Sequence, residues 1–317
     1  MNSIPRVGFG LWKVAPDECA DQVYAAIQAG YRHLDSACDY GNEAEAGQGI
    51  RRALDEGLCR REELWVTSKL WNTYHRPEHV RPALERTLSD LALDSLDLYM
   101  IHFPIALAYV PFEQRYPPEW IHDPAYPEQG MKLDDTPLHE TWAAMEELVD
   151  AGLVKHLGVC NYNSALMHDL MRYARIKPLA LQIELHPYLA QERMLRLCKQ
   201  YGIDVVAYSP LGSLSYVELD MDGNMPSLIE HDVITAIAKR VGRTPAQVIL
   251  RWNVQRGCAV LPKTSRPERL VENLALFDFE LDEADMQAIG KLDRHHRFGD
   301  VGHFTEHAFN TFHPIFD

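Results

Sequence analysis

The sequence predicts an α/β fold built on eight parallel strands, and three observations support this prediction. Short apolar or β-branched runs alternate with longer segments of helical period along all 317 residues, which is typical of repeated βα units. Eight runs of this kind are present. Polar or aromatic side chains follow them, as expected where the carboxyl ends of barrel strands form an active site. The prediction is therefore a (β/α)8 TIM barrel.

Length and composition narrow the possible partners. The 46% hydrophobic residues are sufficient for a large core, and no Ser/Gly/Pro linker divides the chain, so we expect a single domain over residues 1–317. The net charge of -15 argues against nucleic acid or an anionic membrane as a partner. A small molecule is the expected partner, and the sequence leaves a monomer or a homodimer open.

Targeting signals and cysteine usage point to a cytoplasmic protein. The N-terminal segment has no basic region followed by a long apolar run, and no later stretch is long enough to span a bilayer. The six cysteines lie singly, without a CxxC pair. This pattern favours reduced thiols over a zinc site or a disulfide framework, so no bound metal is expected.

The predicted strands are short and follow one another along the chain. They cover residues 6–8, 32–34, 64–68, 96–101, 156–159, 180–183, 204–207 and 259–261.

Capping residues mark the starts of several predicted helices. Thr136, before a proline, predicts a helix start. Ser227 with Glu230, and Thr244 with Gln247, match capping boxes. These signals position helices but say nothing about chemistry.

Two segments are too long for ordinary connections, and a long tail also follows a strand. Residues 103–135 follow the fourth predicted strand, residues 209–226 follow the seventh, and a tail predicted to be non-helical follows Leu292. Long loops in compact domains are often functional. We expect all three to lie over the C-terminal rim of the barrel.

Four side chains near strand ends form a candidate proton-transfer site. Lys69 is expected to pair with Asp35, because a lone charge in an apolar barrel mouth would be costly. Its charge is expected to lower the pKa of Tyr40, and His102 can donate a hydrogen bond to the same substrate oxygen. Such a group of residues can protonate a carbonyl oxygen while a hydride is delivered from elsewhere.

The motifs around these residues resemble those of the aldo-keto reductase superfamily. They are the segment 30–47, KLWN around Lys69, IHFP around His102 and LPKTSRPERLVEN at 261–273. The chain is most similar to the aldose and xylose reductase type, also through SYVEL at 215–219. The resemblance implies a barrel that binds NADPH across its rim, with NADH also possible, and reduces sugar aldehydes to polyols.

The resemblance also implies roles for individual residues. Tyr40 would be the proton donor, with Asp35, Lys69 and His102 as its companions. The expected substrate pocket comprises Trp12, Asp39, Trp71, Phe103 and Phe112. The expected cofactor-binding residues are Cys160, Asn161, Gln182, Tyr208, Ser209, Leu211, Ser213, Lys263, Thr264, Ser265, Arg266, Arg269, Glu272 and Asn273.

Two positions depart from the pattern of the family. Cys160 stands where a serine usually precedes the asparagine, and a thiol is a poor hydrogen-bond donor. Gly299 stands where xylose reductases carry an asparagine, so a side-chain partner for a sugar hydroxyl is missing. The physiological substrate therefore stays open.

The sequence leaves other functions open. The same fold could serve as a weakly catalytic, cofactor-binding or structural protein, or could reduce another carbonyl such as a sugar phosphate or a uronate. A metal-dependent barrel hydrolase would need several histidines and carboxylates at strand ends, where only His102 and His186 come near.

Overall fold

Eight parallel strands form one closed sheet in the part of the chain described by the computed structural model, which comprises residues 4–217, 221, 223 and 225–316. The strands are neighbours in sequence order. The first and last are joined by a parallel bridge between Val7 and Val260, and the Gly8 amide donates to the Val260 carbonyl over 2.9 Å. This pairing closes the cylinder and confirms the (β/α)8 TIM barrel.

The observed strands agree well with the predicted ones. The strands are β1 (Phe9–Gly10), β2 (His33–Asp35), β3 (Trp65–Leu70), β4 (Leu96–Ile101), β5 (Val154–Cys160), β6 (Ala180–Glu184), β7 (Asp204–Tyr208) and β8 (Ala259–Val260). The first predicted strand lies too early, because Val7 makes only an isolated bridge before β1 begins.

The helices cover the outside of the barrel and extend into the tail. They are α1 (Pro16–Ala29), α2 (Glu43–Asp55), α3 (Pro77–Leu91), α4 (Leu138–Asp150), α5 (Ser164–Tyr173), α6 (Glu192–Tyr201), α7 (Asp232–Val241), α8 (Pro245–Gln255), α9 (Pro267–Leu274), α10 (Glu283–Gly290) and α11 (Val301–Phe309). Helices α1 to α6 each link two successive strands, whereas α7 and α8 together link β7 to β8. Gly30 ends α1 in the left-handed conformation, with φ of 110°.

One predicted helix cap is confirmed and two are wrong. The Thr244 side chain accepts from the Gln247 amide and completes the capping box of α8. Thr136 does not cap α4, because its hydroxyl donates a hydrogen bond to the Asp134 carboxylate instead. Ser227 precedes a short 3-10 turn, and α7 starts later, where the side chain of His231 accepts from the Val233 amide.

Two apolar layers support the barrel. The interior is filled by side chains including Trp65, Met100, Ala180 and Val206, while a larger cluster packs the helices against the outside of the sheet. Successive side chains of a strand point to opposite faces. Residues that lie an even number of positions after these interior residues on the same strand therefore also face the inside of the barrel, nearer its C-terminal rim.

The tail is helical where the sequence predicted none. Helix α11 begins after Asp300, whose side chain accepts from the His303 amide and replaces a missing backbone partner. Val301 packs with Ile105, Leu107 and Met131 of the long loop after β4. The tail and this loop therefore lie together over the rim, as predicted.

Some predictions fall outside the described residues. They concern residues 218–220, 222 and 224 of the loop after β7, including the last two letters of the SYVEL motif. Among the described residues, no helix is both long and apolar enough to cross a membrane.

Candidate active site

Strand alternation brings the predicted proton-transfer residues to the inside of the rim. Lys69 lies four residues after the interior residue Trp65 on β3, and His102 lies two residues after the interior residue Met100 at the end of β4. Asp35 is the last residue of β2. Because the carboxyl ends of parallel barrel strands meet at one rim, these side chains converge.

Lys69 is the centre of the hydrogen-bonded network at the floor of the site. Its Nζ donates to Asp35 Oδ1 over 2.6 Å, to the Ser36 carbonyl over 2.8 Å and to the Tyr40 hydroxyl over 3.1 Å. The side chain is 0% exposed. The predicted ion pair with Asp35 is thus confirmed, and all three ammonium protons have partners.

The prediction that the pKa of Tyr40 is lowered overall is wrong. Burial raises the pKa of Tyr40 above its ordinary value, and the positive charge of Lys69 offsets only part of that rise. The phenol therefore stays protonated at neutral pH. A protonated phenol next to an ammonium group can donate a proton, and the ammonium stabilises the anion that results.

His102 lies beside the tyrosine as a neutral ring. Burial, followed by the nearby charge of Lys69, holds the pKa of His102 well below its usual range. Its ring centroid is 5.8 Å from that of Tyr40. A neutral imidazole still carries one N–H donor, so it can bond to an oxygen held between the two rings.

Amide side chains from β5 and β6 complete the floor. Gln182 Nε2 donates to Asp35 Oδ2 over 2.7 Å. Asn161 Nδ2 donates to the His102 carbonyl over 2.9 Å, and Asn161 Oδ1 accepts from the Tyr208 hydroxyl over 2.7 Å. Asn161 and Ser209 both have left-handed backbones, with φ of 60° and 46°. Such strain often occurs where surrounding structure orients functional groups.

A cleft of about 650 Å³ opens above this floor. Trp12, Asp39 and Phe103 from the predicted substrate pocket line it. Trp71 and Phe112 do not. Trp71 is fully buried, where its Nε1 donates to the Glu119 carbonyl over 3.1 Å.

Cationic and hydroxyl side chains occupy one end of the cleft, in the segment between β8 and α9. The predicted cofactor residues that line the cleft are Asn161, Gln182, Tyr208, Ser209, Leu211, Lys263, Thr264, Ser265, Arg266 and Arg269. Lys263, Arg266 and Arg269 are exposed. In a chain of net charge -15 they form a local basic site, which fits a phosphate-bearing ligand through charge-assisted hydrogen bonds.

Four predicted cofactor residues do not line the cleft. Cys160 lies in the barrel interior with its Sγ 3.8 Å from Met100 Sδ, and Ser213 is buried in a 3-10 turn. Glu272 Oε1 accepts from the Thr244 hydroxyl over 2.6 Å, away from the cleft. Asn273 is buried on α9. Their cofactor roles remain predictions.

Sequence reasoning missed several cleft residues. Trp120 lines the cleft and packs edge-on against Trp71 and Phe103, with centroids 4.9 and 5.0 Å apart. It lies in a long loop without periodicity, so no local pattern distinguished it. The tail residues Phe304 and Phe309 were also missed, because the tail was predicted to be non-helical.

A buried carboxylate anchors the tail to the rim. Glu184, at the end of β6, accepts from the Phe298 amide over 2.7 Å, from the Gly299 amide over 2.8 Å and from His186 Nε2 over 2.9 Å. Burial alone would raise the pKa of Glu184, but His186, the charge of Arg297 and the Phe298 amide together hold this pKa below its ordinary value. The anchor places Gly299 in the wall of the cleft.

The site thus combines a proton donor, a buried ammonium and a neutral imidazole under a cleft that ends in cations. Comparison with known proteins gives a consistent result. The family model described as Aldo/keto reductase family matches residues 6–294.

Curated relatives are similar over most of the chain. A protein of Aspergillus clavatus named probable NAD(P)H-dependent D-xylose reductase is 51% identical over 299 residues, 94% of this chain and 89% of the relative. Proteins with the same name from Emericella nidulans and Arthroderma otae are 51% and 50% identical, over 94% and 93% of this chain and 92% and 90% of their own lengths.

Proposed function

Because this chain belongs to the aldo/keto reductase family, we propose that it uses NAD(P)H to reduce the aldehyde group of an aldose to an alcohol. Relatives about half identical to it are named as D-xylose reductases. The proposal rests on the position of the Tyr40 hydroxyl, which lies 3.1 Å from Lys69 Nζ at the floor of the cleft.

In the proposed reaction, Tyr40 donates its proton to the carbonyl oxygen of the aldehyde. Lys69 stabilises the tyrosinate that forms, and Asp35 keeps Lys69 charged and in place through its 2.6 Å bond. The neutral His102 donates a hydrogen bond to the same oxygen and orients the carbonyl. When bound, the reduced nicotinamide supplies the hydride that the carbonyl carbon receives.

The cleft offers suitable groups for such a cofactor. Asn161 and Gln182 present amides at the floor, and the ring of Tyr208 offers a stacking surface. Lys263 and Arg269 would hold a 2'-phosphate at the basic end. We therefore propose NADPH as the preferred cofactor, with NADH accepted less well.

The state of the cysteines indicates the cellular setting that we propose. All six cysteines are free and buried thiols, as suits a reducing compartment such as the cytoplasm. We propose that residues 1–317 act as a single domain, either as a monomer or in a homodimer.

A substrate panel with the Tyr40→Phe variant tests the proposed function. Purified protein is incubated with NADPH and a series of aldoses, and cofactor absorbance is followed. The wild type should reduce aldoses, and loss of the proton donor should lower kcat by about 10²- to 10⁴-fold while NADPH still binds.

The matched control is Tyr24→Phe, which removes a hydroxyl bonded to Glu56 on the outer helices and should leave turnover unchanged. A chelator should also have no effect. Equal rates for Tyr40→Phe and the wild type would exclude Tyr40 as the proton donor.

A further inference from the structure

The wall of the cleft contains a tyrosine that the proposed chemistry does not use. Tyr216 lies in the loop after β7, lines the cleft and is 4% exposed. Its ring stacks on Phe298, with centroids 5.6 Å apart, and is tilted against Trp12, with centroids 5.9 Å apart. Aromatic packing on both sides therefore fixes where its hydroxyl points.

The Tyr216 hydroxyl has hydrogen-bonding capacity left for a ligand. Its oxygen accepts a hydrogen bond from the Ser209 hydroxyl over 3.3 Å. A phenolic hydroxyl can donate one hydrogen bond and also accept. The hydrogen-bond donor of Tyr216 is therefore available to a ligand in the cleft that this residue lines, and a buried donor that gains a partner stabilises the bound ligand.

Gly299 makes room for this hydroxyl. A Cβ atom built on Gly299 would lie 2.8 Å from the Tyr216 hydroxyl oxygen, 3.5 Å from Tyr216 Cζ and 3.0 Å from Glu184 Oε2. The backbone of Gly299 is not left-handed among the glycines described, so its own conformation does not require glycine. Glycine is favoured at position 299 by its close neighbours instead, of which the Tyr216 hydroxyl is the nearest and Glu184 Oε2 the next.

The two positions therefore form a coupled pair. A side chain at 299 would compete for volume with the hydroxyl at 216, and both residues line the cleft. Hydrogen bonds from the amides of Phe298 and Gly299 to Glu184 hold this segment in place, and the Phe298 ring stacks on Tyr216. The sequence indicated a lost contact where the asparagine is missing, but the structure has the phenolic hydroxyl of Tyr216 next to that position.

We infer that Tyr216, admitted by Gly299, is a specificity-determining residue that binds a hydroxyl group of a polyhydroxylated aldehyde. The inference rests on the proposed reductase function and names the substrate class that this wall selects. An aldehyde without hydroxyl groups would leave the Tyr216 hydroxyl without a ligand partner. Such an aldehyde should therefore react less efficiently than a polyhydroxylated one.

The experiment compares D-xylose with pentanal, an aldehyde of the same carbon number without hydroxyls, at saturating NADPH. Tyr216→Phe should lower the ratio of kcat/KM for xylose to that for pentanal about tenfold, the value of one hydrogen bond. The Kd for NADPH, measured by fluorescence titration, should change less than about twofold. Tyr24→Phe, on the outer helices, is the matched control.

A second variant tests the coupling. Gly299→Ala should displace the hydroxyl and lower the ratio by a similar factor. In the Tyr216→Phe background the same alanine should lower the ratio much less, because the 2.8 Å contact is gone and the remaining Cζ contact is 3.5 Å. The contact of the added Cβ with Glu184 is the same whether residue 216 is Tyr or Phe. It therefore cancels in the double-mutant cycle of the two substitutions.

Three outcomes would overturn the inference. They are equal losses for both aldehydes, a tenfold loss of NADPH affinity with an unchanged ratio, and independent effects of the two substitutions. Turnover of both aldehydes by the wild type with an unchanged ratio in Tyr216→Phe would refute this inference alone. If the wild type reduced neither aldehyde, the proposed function would fail first, and the inference with it.

Discussion

The floor and the basic end of the cleft are built in opposite ways. At the floor, Lys69 and Asp35 are buried, lie on strands and are joined by a 2.6 Å bond. At the basic end, Lys263, Arg266 and Arg269 are exposed and lie in or beside the loop that leads to α9. One region is fixed by the barrel, and the other is held mainly by its own short loop and helix.

This difference indicates where chemistry and affinity reside. Proton transfer needs donors held to within fractions of an ångström, which strand ends provide. Recognition of a phosphate tolerates side-chain adjustment, since long cations can follow the anion. Changes at the floor should therefore affect turnover and stability together, whereas changes at the basic end should affect affinity alone.

Removing the buried ammonium should have the largest effect. Lys69→Met leaves Asp35 buried without its cation, so we expect a loss of about 3–5 kcal/mol in the free energy of unfolding and a loss of turnover of about 10²-fold or more. Denaturant unfolding and steady-state kinetics measure the two effects.

The double variant Lys69→Met/Asp35→Asn sharpens this test. It removes the unpaired charge and should recover most of the lost stability but none of the turnover. A single variant as stable as the wild type would show that the ion pair does not hold the floor together.

An intermediate effect is expected at the basic end. Arg269→Ala should weaken NADPH binding about tenfold or more, the value of a charge-assisted hydrogen bond, with little effect on NADH and on kcat. The Kd of both cofactors, at two salt concentrations, measures this. Arg193→Ala on α6, also an exposed arginine, is the control, and equal losses for both cofactors would contradict a 2'-phosphate contact.

The smallest effect concerns pH. Burial, with a contribution from Glu119, raises the pKa of Asp39 to about 7. Above that pH the carboxylate is ionised and accepts hydrogen bonds from sugar hydroxyls more strongly, so KM for an aldose should fall several-fold from pH 6 to pH 8. In the Asp39→Asn variant the pH dependence of KM should disappear. If it persisted, a group other than Asp39 would be responsible for it.

The same shift predicts a sign for stability. The folded-state pKa of Asp39 lies above its ordinary value of 3.8, so the unfolded chain ionises first as the pH rises. The contribution of this group to stability is present below about pH 4 and is lost as the pH approaches 7. Comparing the wild type with Asp39→Asn across this range isolates it.

Patterns with a fixed period could be predicted from the sequence, and irregular contacts could not. The strand runs around Lys69 and His102 have the period of a barrel strand, and the convergence of their ends follows from topology. Helix α11 was missed although Asp300 is a favoured capping residue, because the helix also depends on packing against the loop after β4, which is not visible in local sequence.

Within the site, predictions failed where tertiary packing decides the outcome. Trp71 and Trp120 are both aromatics near the rim, but the loop fold buries the first and brings the second to the cleft. The pKa of Tyr40 was predicted from its charged neighbour, whereas the larger contribution is burial, which depends on the whole structure. The pairing of Tyr216 with Gly299 spans more than 80 residues of chain and has no sequence signature.

The bridge that closes the barrel has a consequence for biosynthesis. The backbone of residues 6–8 hydrogen-bonds to Val260, and these partners are separated by most of the polypeptide. During synthesis, a nascent chain in which β1 to β7 have paired but β8 has not is a curved sheet with two open edges. Each edge can pair with another chain. When β8 emerges, it pairs with β7 and with the chain at β1, and the two strand edges are no longer exposed.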